Sequence, residues 1–241
     1  MKDTDRSGKR VHKALEGLHA KGELTWLPWI GSDYVCGGLM VVGESNYADE
    51  DCGPTPEAAC RAVDGNVHFT ECVVSRFCIN RSERNVTFDG VTNVLRKDRA
   101  EDILSAGRSA WGRIAYMDVI QQSMCGKGKK WPTVKGRFCP TEEMWVPGWK
   151  AVFGVIDILK PGALLFVGAG VAKHFSRKYI PAGYMAEMKD GDKIERHIWR
   201  SGYLVYSGGQ KIKVCAIPNP GGARGFSPDK WRKRVQKYLG I

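Results

Sequence analysis

Apolar residues in this chain fall into blocks of two kinds. Four short runs are nearly continuous: Leu39-Met40-Val41-Val42, Ile114 to Val119, Ala163 to Val167, and Lys211 to Ile217. Such runs, bounded by turn residues, are what strands covered on both faces look like. The other blocks have helical spacing. Gly8 to Lys21 carries Val11, Leu15 and Leu18 and stops at Gly22, and Ala100 to Gly112 is a second helix. Gly148 to Lys160 places Ala151, Val152, Val155, Ile156 and Leu159 on a third, closed by Pro161-Gly162. Gly168-Ala169-Gly170 opens a fourth, and Ser227-Pro228-Asp229 starts a last one with Trp231, Val235, Tyr238 and Leu239 on one face. Strand-then-helix units predict an α/β fold: a three-layer α/β/α sandwich around a central, mainly parallel four-stranded sheet, with residues 1–241 as a single domain. Two stretches do not fit the pattern. Leu24 to Gly31 is an aromatic connection whose Pro28 argues against a central strand, and the segment from Tyr47 to about Asp98 has no clear periodicity.

Composition narrows the partner. Over 241 residues, 43% hydrophobic and 26% charged content is ordinary for a globular protein. Lys plus Arg number 37 against 26 Asp plus Glu, a net charge of +11, which favours a polyanion such as nucleic acid. A solvated basic surface is the plainer alternative. The basic loop Gly126-Lys127-Gly128-Lys129-Lys130-Trp131 lacks P-loop spacing and reads as a backbone-contacting or merely solvated segment. Arg76, Arg81 and Arg84 suit phosphates and Phe69, Phe77 and Phe88 suit bases, with core and surface roles as the ordinary alternative. The acidic N-terminus is not a secretory signal and no stretch is long enough to span a bilayer, so a soluble, cytoplasmic protein with reduced cysteines is expected.

Candidate chemistry gathers where strands end, since open α/β sheets bind ligands there. The first apolar run passes into Gly43-Glu44-Ser45-Asn46-Tyr47, where glycine lets the backbone turn and the polar residues can position a water or accept its proton. The second run delivers Asp118. The fourth ends at Pro218-Asn219-Pro220-Gly221-Gly222. Gly168-Ala169-Gly170 suggests a dinucleotide fingerprint, but Lys173 stands where the third glycine belongs. Cys36, Cys52, Cys60, Cys72 and Cys78 contain no C-x-x-C, so independent buried thiols are expected rather than an iron–sulfur cluster, despite the separation of Cys125 and Cys139. The five histidines show no zinc spacing, and neither metal nor cofactor is expected.

Several of these segments, in this order, resemble the uracil-DNA glycosylase superfamily. Gly43 to Tyr47 is similar to its first motif, and Pro218 to Ser227 to its second, which is normally built on His-Pro-Ser. Arg113 to Asp118 and Leu159 to Gly168 resemble the strands between, so the likeness spans roughly Trp26 to Leu239. The resemblance implies a monomeric, monofunctional hydrolase that flips a nucleotide out of duplex DNA and breaks its N-glycosidic bond. It implies Glu44, Asn46 and Asn219 as catalytic, Ser45, Tyr47 and Asp118 at the base, and Arg224, Gly225, Phe226 and Ser227 at the duplex. Asn219 replaces histidine as a neutral donor to the base's O2. Asp118 stands where the family places asparagine, and an acceptor-only carboxylate suits the N4 amino group of cytosine better than O4 of uracil. Tyr47 argues the other way, since it matches a residue that crowds the base's 5-position in uracil-selective branches. The expected substrate is therefore a modified cytosine, such as the glucosylated hydroxymethyl form in phage DNA, with phage defence as the setting. A uracil-excising repair enzyme and an inactive DNA-binding module of the same fold are the alternatives.

Overall fold

A computed structural model describes residues 2–48, 51–125, 140–176, 178–206 and 209–241. In chain order the elements are α1 (Lys2–Ala20), β1 (Trp29–Ile30), β2 (Leu39–Gly43), β3 (Tyr47–Ala48), α2 (Pro56–Asp64), α3 (Phe69–Val74), α4 (Val86–Leu95), α5 (Ile103–Trp111), β4 (Ile114–Asp118) and β5 (Met124–Cys125). They continue with α6 (Glu142–Leu159), β6 (Ala163–Val167), α7 (Ala169–His174), β7 (Met185–Ile194), β8 (His197–Val205), β9 (Lys211–Ile217) and α8 (Pro228–Leu239). A π-helical turn, Ser75–Ile79, extends α3.

The α/β class is as expected, but the sheet is larger and more mixed than four mainly parallel strands. It has seven strands in the order β1-β4-β2-β6-β9-β8-β7. The four apolar runs do form the adjacent parallel strands β4, β2, β6 and β9. To these the chain adds β1, antiparallel to β4, and the antiparallel pair β8 and β7 beyond β9. The additions escape a hydrophobic pattern for a physical reason. β7 is exposed along most of its length and carries charged residues, and β1 is two residues of an edge.

Alternation along the parallel strands explains the layers. Leu39 and Val41 of β2, with Leu165 and Val167 of β6, face a core closed by α4, α5 and α8. Met40 and Val42, with Leu164 and Phe166, face the opposite core, closed by α1 and α6. Trp111 and Trp231 anchor the first core and Trp149 the second, all three essentially inaccessible. Truncating any of them to alanine would remove about 3–5 kcal/mol. α6 begins six residues before the expected start at Gly148, running through Pro147. No described helix is long and apolar enough to cross a membrane.

The strand order fixes where a ligand can sit. From β2 the chain goes to β4 on one side, then crosses back to β6 on the other. The carboxyl end of β2 is therefore a switch point at which the connections diverge and leave a crevice. Gly43 ends β2 there, in register with Asp118 at the end of β4.

Candidate active site

The crevice is a cavity of about 410 Å³. Glu44, Ser45, Asn46 and Tyr47 line it from the end of β2, Asp118 from β4 and Asn219 from the segment after β9. The groups expected at the chemistry thus converge on one space. Backbone bonds hold the approach: Val119 N–H donates to Gly43 O, Ile120 N–H to Glu44 O and Met124 N–H to Asn46 O, each at 2.9 Å.

Asp118 lies deepest, 2% exposed. Its Oδ2 accepts from Asn46 Nδ2 at 2.6 Å and its Oδ1 from the Tyr116 hydroxyl at 2.9 Å. Burial, and secondarily the nearby Glu44 carboxylate, push its carboxyl up to about 7, against a lowering by the Tyr116 hydrogen bond. Both oxygens thus accept from protein donors, while each keeps a second lone pair. Engaging them takes space. A Cβ on Gly43 would stand 2.1 Å from Asp118 Oδ1 and 2.7 Å from the Tyr116 hydroxyl, so only glycine fits at this strand end.

Asn46 is fixed by the same arrangement. With one N–H given to Asp118 Oδ2, its carbonyl oxygen is left for another donor such as water. Asn219 is oriented the opposite way. Its Oδ1 accepts from Thr87 Oγ1 and from Gly221 N–H, both at 2.9 Å, which leaves its NH₂ as the free end. Glu44 packs over the start of α7. A Cβ on Gly170 would stand 2.0 Å from Glu44 Oε2, so the Gly168-Ala169-Gly170 sequence is room for this carboxylate rather than a dinucleotide loop. The Ser45 hydroxyl is buried with no partner among the described residues.

The remaining wall is aromatic. Phe77 stacks on Phe88 with centroids 5.6 Å apart and planes 23° apart, and Phe88 packs on Trp111 and Tyr116. Phe77 is half-buried, lines the cavity and sits in the π-helical turn, a local distortion common at functional sites. Phe69 also lines the cavity but packs on Trp26, which is wholly buried and so presents no face to a base.

Other expectations fall elsewhere. Arg224, Gly225, Phe226 and Ser227 form the turn into α8 and are not among the cavity-lining residues. Arg224 and Gly225 are exposed, whereas Phe226 turns inward to stack near Trp231. Arg81 and Arg84 pair with Asp89; Arg76 does line the cavity, and pairs with Glu83. Of the cysteines expected to be buried, Cys78 and Cys215 are, but Cys36 and Cys72 are exposed. The basic loop Gly126 to Trp131 and Cys139 lie outside the described residues. Among the described residues no three His, Cys, Asp or Glu side chains cluster as metal ligands do.

Tyr116 and Thr87 were not singled out in the sequence, and Gly170 was read only as part of a weak dinucleotide fingerprint. Tyr116 had a signal, since residues two apart on a strand share a face and it precedes Asp118 by two. Thr87 had none, because it acts through a residue distant in sequence, and the glycines around Gly170 did not reveal that they make room for Glu44. No protein-family model matches this chain, and no curated protein matches it.

Proposed function

We propose that this protein is a DNA glycosylase that extrudes a pyrimidine nucleotide into the crevice and hydrolyses its N-glycosidic bond, leaving an abasic site. The observation that carries the reading is the convergence of Glu44, Asn46, Asp118 and Asn219 on one cavity with a half-buried aromatic face beside them. Glycosidic cleavage needs these elements together. A leaving pyrimidine gains negative charge at O2, and the free NH₂ of Asn219 supplies a donor for it. The sugar becomes cation-like, and the Glu44 carboxylate opposes that charge or takes a proton from the attacking water. The Asn46 carbonyl, held by Asp118 and Tyr116, orients that water. Phe77, stacked on Phe88 and lining the cavity, offers the base an apolar wall. Asp118 and Tyr116 act through Asn46 and are positioning residues. The likeness of Gly43 to Tyr47 and Pro218 to Ser227 to the uracil-DNA glycosylase superfamily supports the same reaction.

A cavity of about 410 Å³ must take the sugar as well as the base, and the substrate we favour in it is a modified cytosine of the glucosylated hydroxymethyl kind, with uracil as the alternative. The test is incubation with labelled duplexes carrying uracil, hydroxymethylcytosine or glucosylated hydroxymethylcytosine, followed by alkaline cleavage at abasic sites. Cleavage restricted to modified cytosine is expected. Cleavage only at uracil would make the enzyme a repair glycosylase, and a mobility shift without cleavage would make it a binding module.

A further inference from the structure

A second cleft lies outside the active site, where the late antiparallel strands meet the end of the parallel sheet. Its volume is about 230 Å³, and its lining includes Ala169 and Ala172 of α7, Arg196, His197 and Arg200 at the start of β8, and Pro218 after β9. Register explains its position. β8 runs antiparallel to β9, with Arg200 opposite Ala216, so the β7–β8 turn emerges at the same edge of the sheet as the carboxyl end of β9 and Asn219. An exposed, charged hairpin thereby stands at the sheet end from which Asn219 reaches the active site.

The turn is built to stay there. Glu195 adopts a left-handed conformation at φ 59°, which costs a non-glycine residue about 1–2 kcal/mol. Its carboxylate accepts the backbone N–H of Ser227 at 3.1 Å and lies 3.5 Å from Lys230 Nζ, fastening the turn to the start of α8. The carbonyl of Arg224 accepts from His197 Nε2 at 3.1 Å, and Arg196 Nε lies 4.0 Å from where a Cβ of Gly225 would stand. The hairpin and the Arg224–Ser227 turn are thus one unit. Arg200 is paired, its Nε donating to Asp190 Oδ1 at 2.7 Å. Arg196 and Arg224, both exposed, have no acidic partner among the described residues.

We propose that this cleft is a phosphate subsite, in which Arg196, assisted by Arg200, holds a backbone phosphate of the DNA strand beside the extruded nucleotide. The inference rests on the DNA reading above. It assigns the hairpin a function of its own, as a second arm that grips the strand while the turn at Arg224 meets the duplex. Guanidinium groups recognise phosphate through paired N–H donors, and neutralising one phosphate releases condensed counterions.

The test is fluorescence anisotropy with a duplex carrying a stable abasic analogue at the target position, measured across a salt series. Arg196→Ala and the double variant Arg196→Ala/Arg200→Ala are compared with Lys211→Ala, which removes the same charge at the opposite end of β9. Arg196→Ala should weaken binding about five- to tenfold and reduce the salt slope by about 0.9, the value for one phosphate contact. The double variant should lose more, and Lys211→Ala should match the parent. Equal losses in Arg196→Ala and Lys211→Ala, or an unchanged slope in Arg196→Ala, would overturn the subsite. Base release is scored on the same samples. Parent protein that binds with a normal slope yet releases no base would refute the glycosylase reading while leaving the subsite intact.

Discussion

Replacing Asp118 with asparagine separates the electrostatic from the positioning role of the buried carboxyl. In the folded protein this group titrates near 7, against an ordinary 3.8. At about 1.36 kcal/mol per pH unit, that difference corresponds to about 4 kcal/mol. Between these two values the unfolded chain releases a proton that the folded protein keeps. Stability from this group is therefore fully present below about pH 4, falls as pH rises, and is lost above about pH 7. Asp118→Asn removes the titration, so urea unfolding at pH 5, 7 and 9 should show a variant whose stability declines less with pH than the parent's. The same change should impair the chemistry. An amide at this position keeps an oxygen for the Tyr116 hydroxyl and turns its NH₂ towards Asn46, which must then reverse its own amide. The carbonyl that orients water is withdrawn, and single-turnover base release should fall about 10²-fold with duplex affinity unchanged. Parallel pH profiles of stability for parent and variant would refute the electrostatic argument. An unchanged rate would refute the positioning argument.

Three further outcomes follow from the same geometry. Tyr116→Phe removes the donor to Asp118 Oδ1 and should cost about 1–3 kcal/mol in denaturant titration; it should also move the carboxyl's titration upward, shifting the pH-dependent loss of stability to higher pH. Gly170→Ala places a methyl where Glu44 Oε2 now lies, and because that side chain can swing into the open cavity, thermal unfolding should be unchanged while base release falls as far as in Glu44→Gln, about 10²-fold. Thr87→Val takes away one of the two hydrogen bonds that orient the Asn219 amide, about 1 kcal/mol or roughly fivefold in rate, with a larger loss in Asn219→Ala.

How much of this was legible in the sequence depends on what each element is buried against. β2, β4 and β6 show as apolar runs because both of their faces are covered, and β9 does so from Val214 onward, after the exposed Lys211 and Lys213. β7 and β8 do not, since exposure lets Lys189, Asp190 and Lys193 occupy positions that a core strand would fill with apolar residues. The segment from Tyr47 to Asp98 hides short helices for another reason. α4 is rich in β-branched residues and glycine, and is defined by its Asn85 cap and its packing against α8 rather than by propensity. At the site, Glu44, Asn46, Asp118 and Asn219 were readable because each ends a recognisable strand or follows one. Their partners were less so: what Asp118 does depends on Tyr116 and Asn46, and what Asn219 offers depends on Thr87, 132 residues away. Sequence alone gave Asp118 to the base; the hydrogen bonds add Asn46 and Tyr116 as its partners.

Detection of free base by mass spectrometry, after single-turnover incubation with duplexes bearing glucosylated hydroxymethylcytosine, tests the central claim most directly. The account predicts the intact modified base in solution, an unbroken strand until alkali is added, and release reduced about 10²-fold in Glu44→Gln. Absence of free base from every pyrimidine tested, or equal release by the parent and Glu44→Gln, would contradict it.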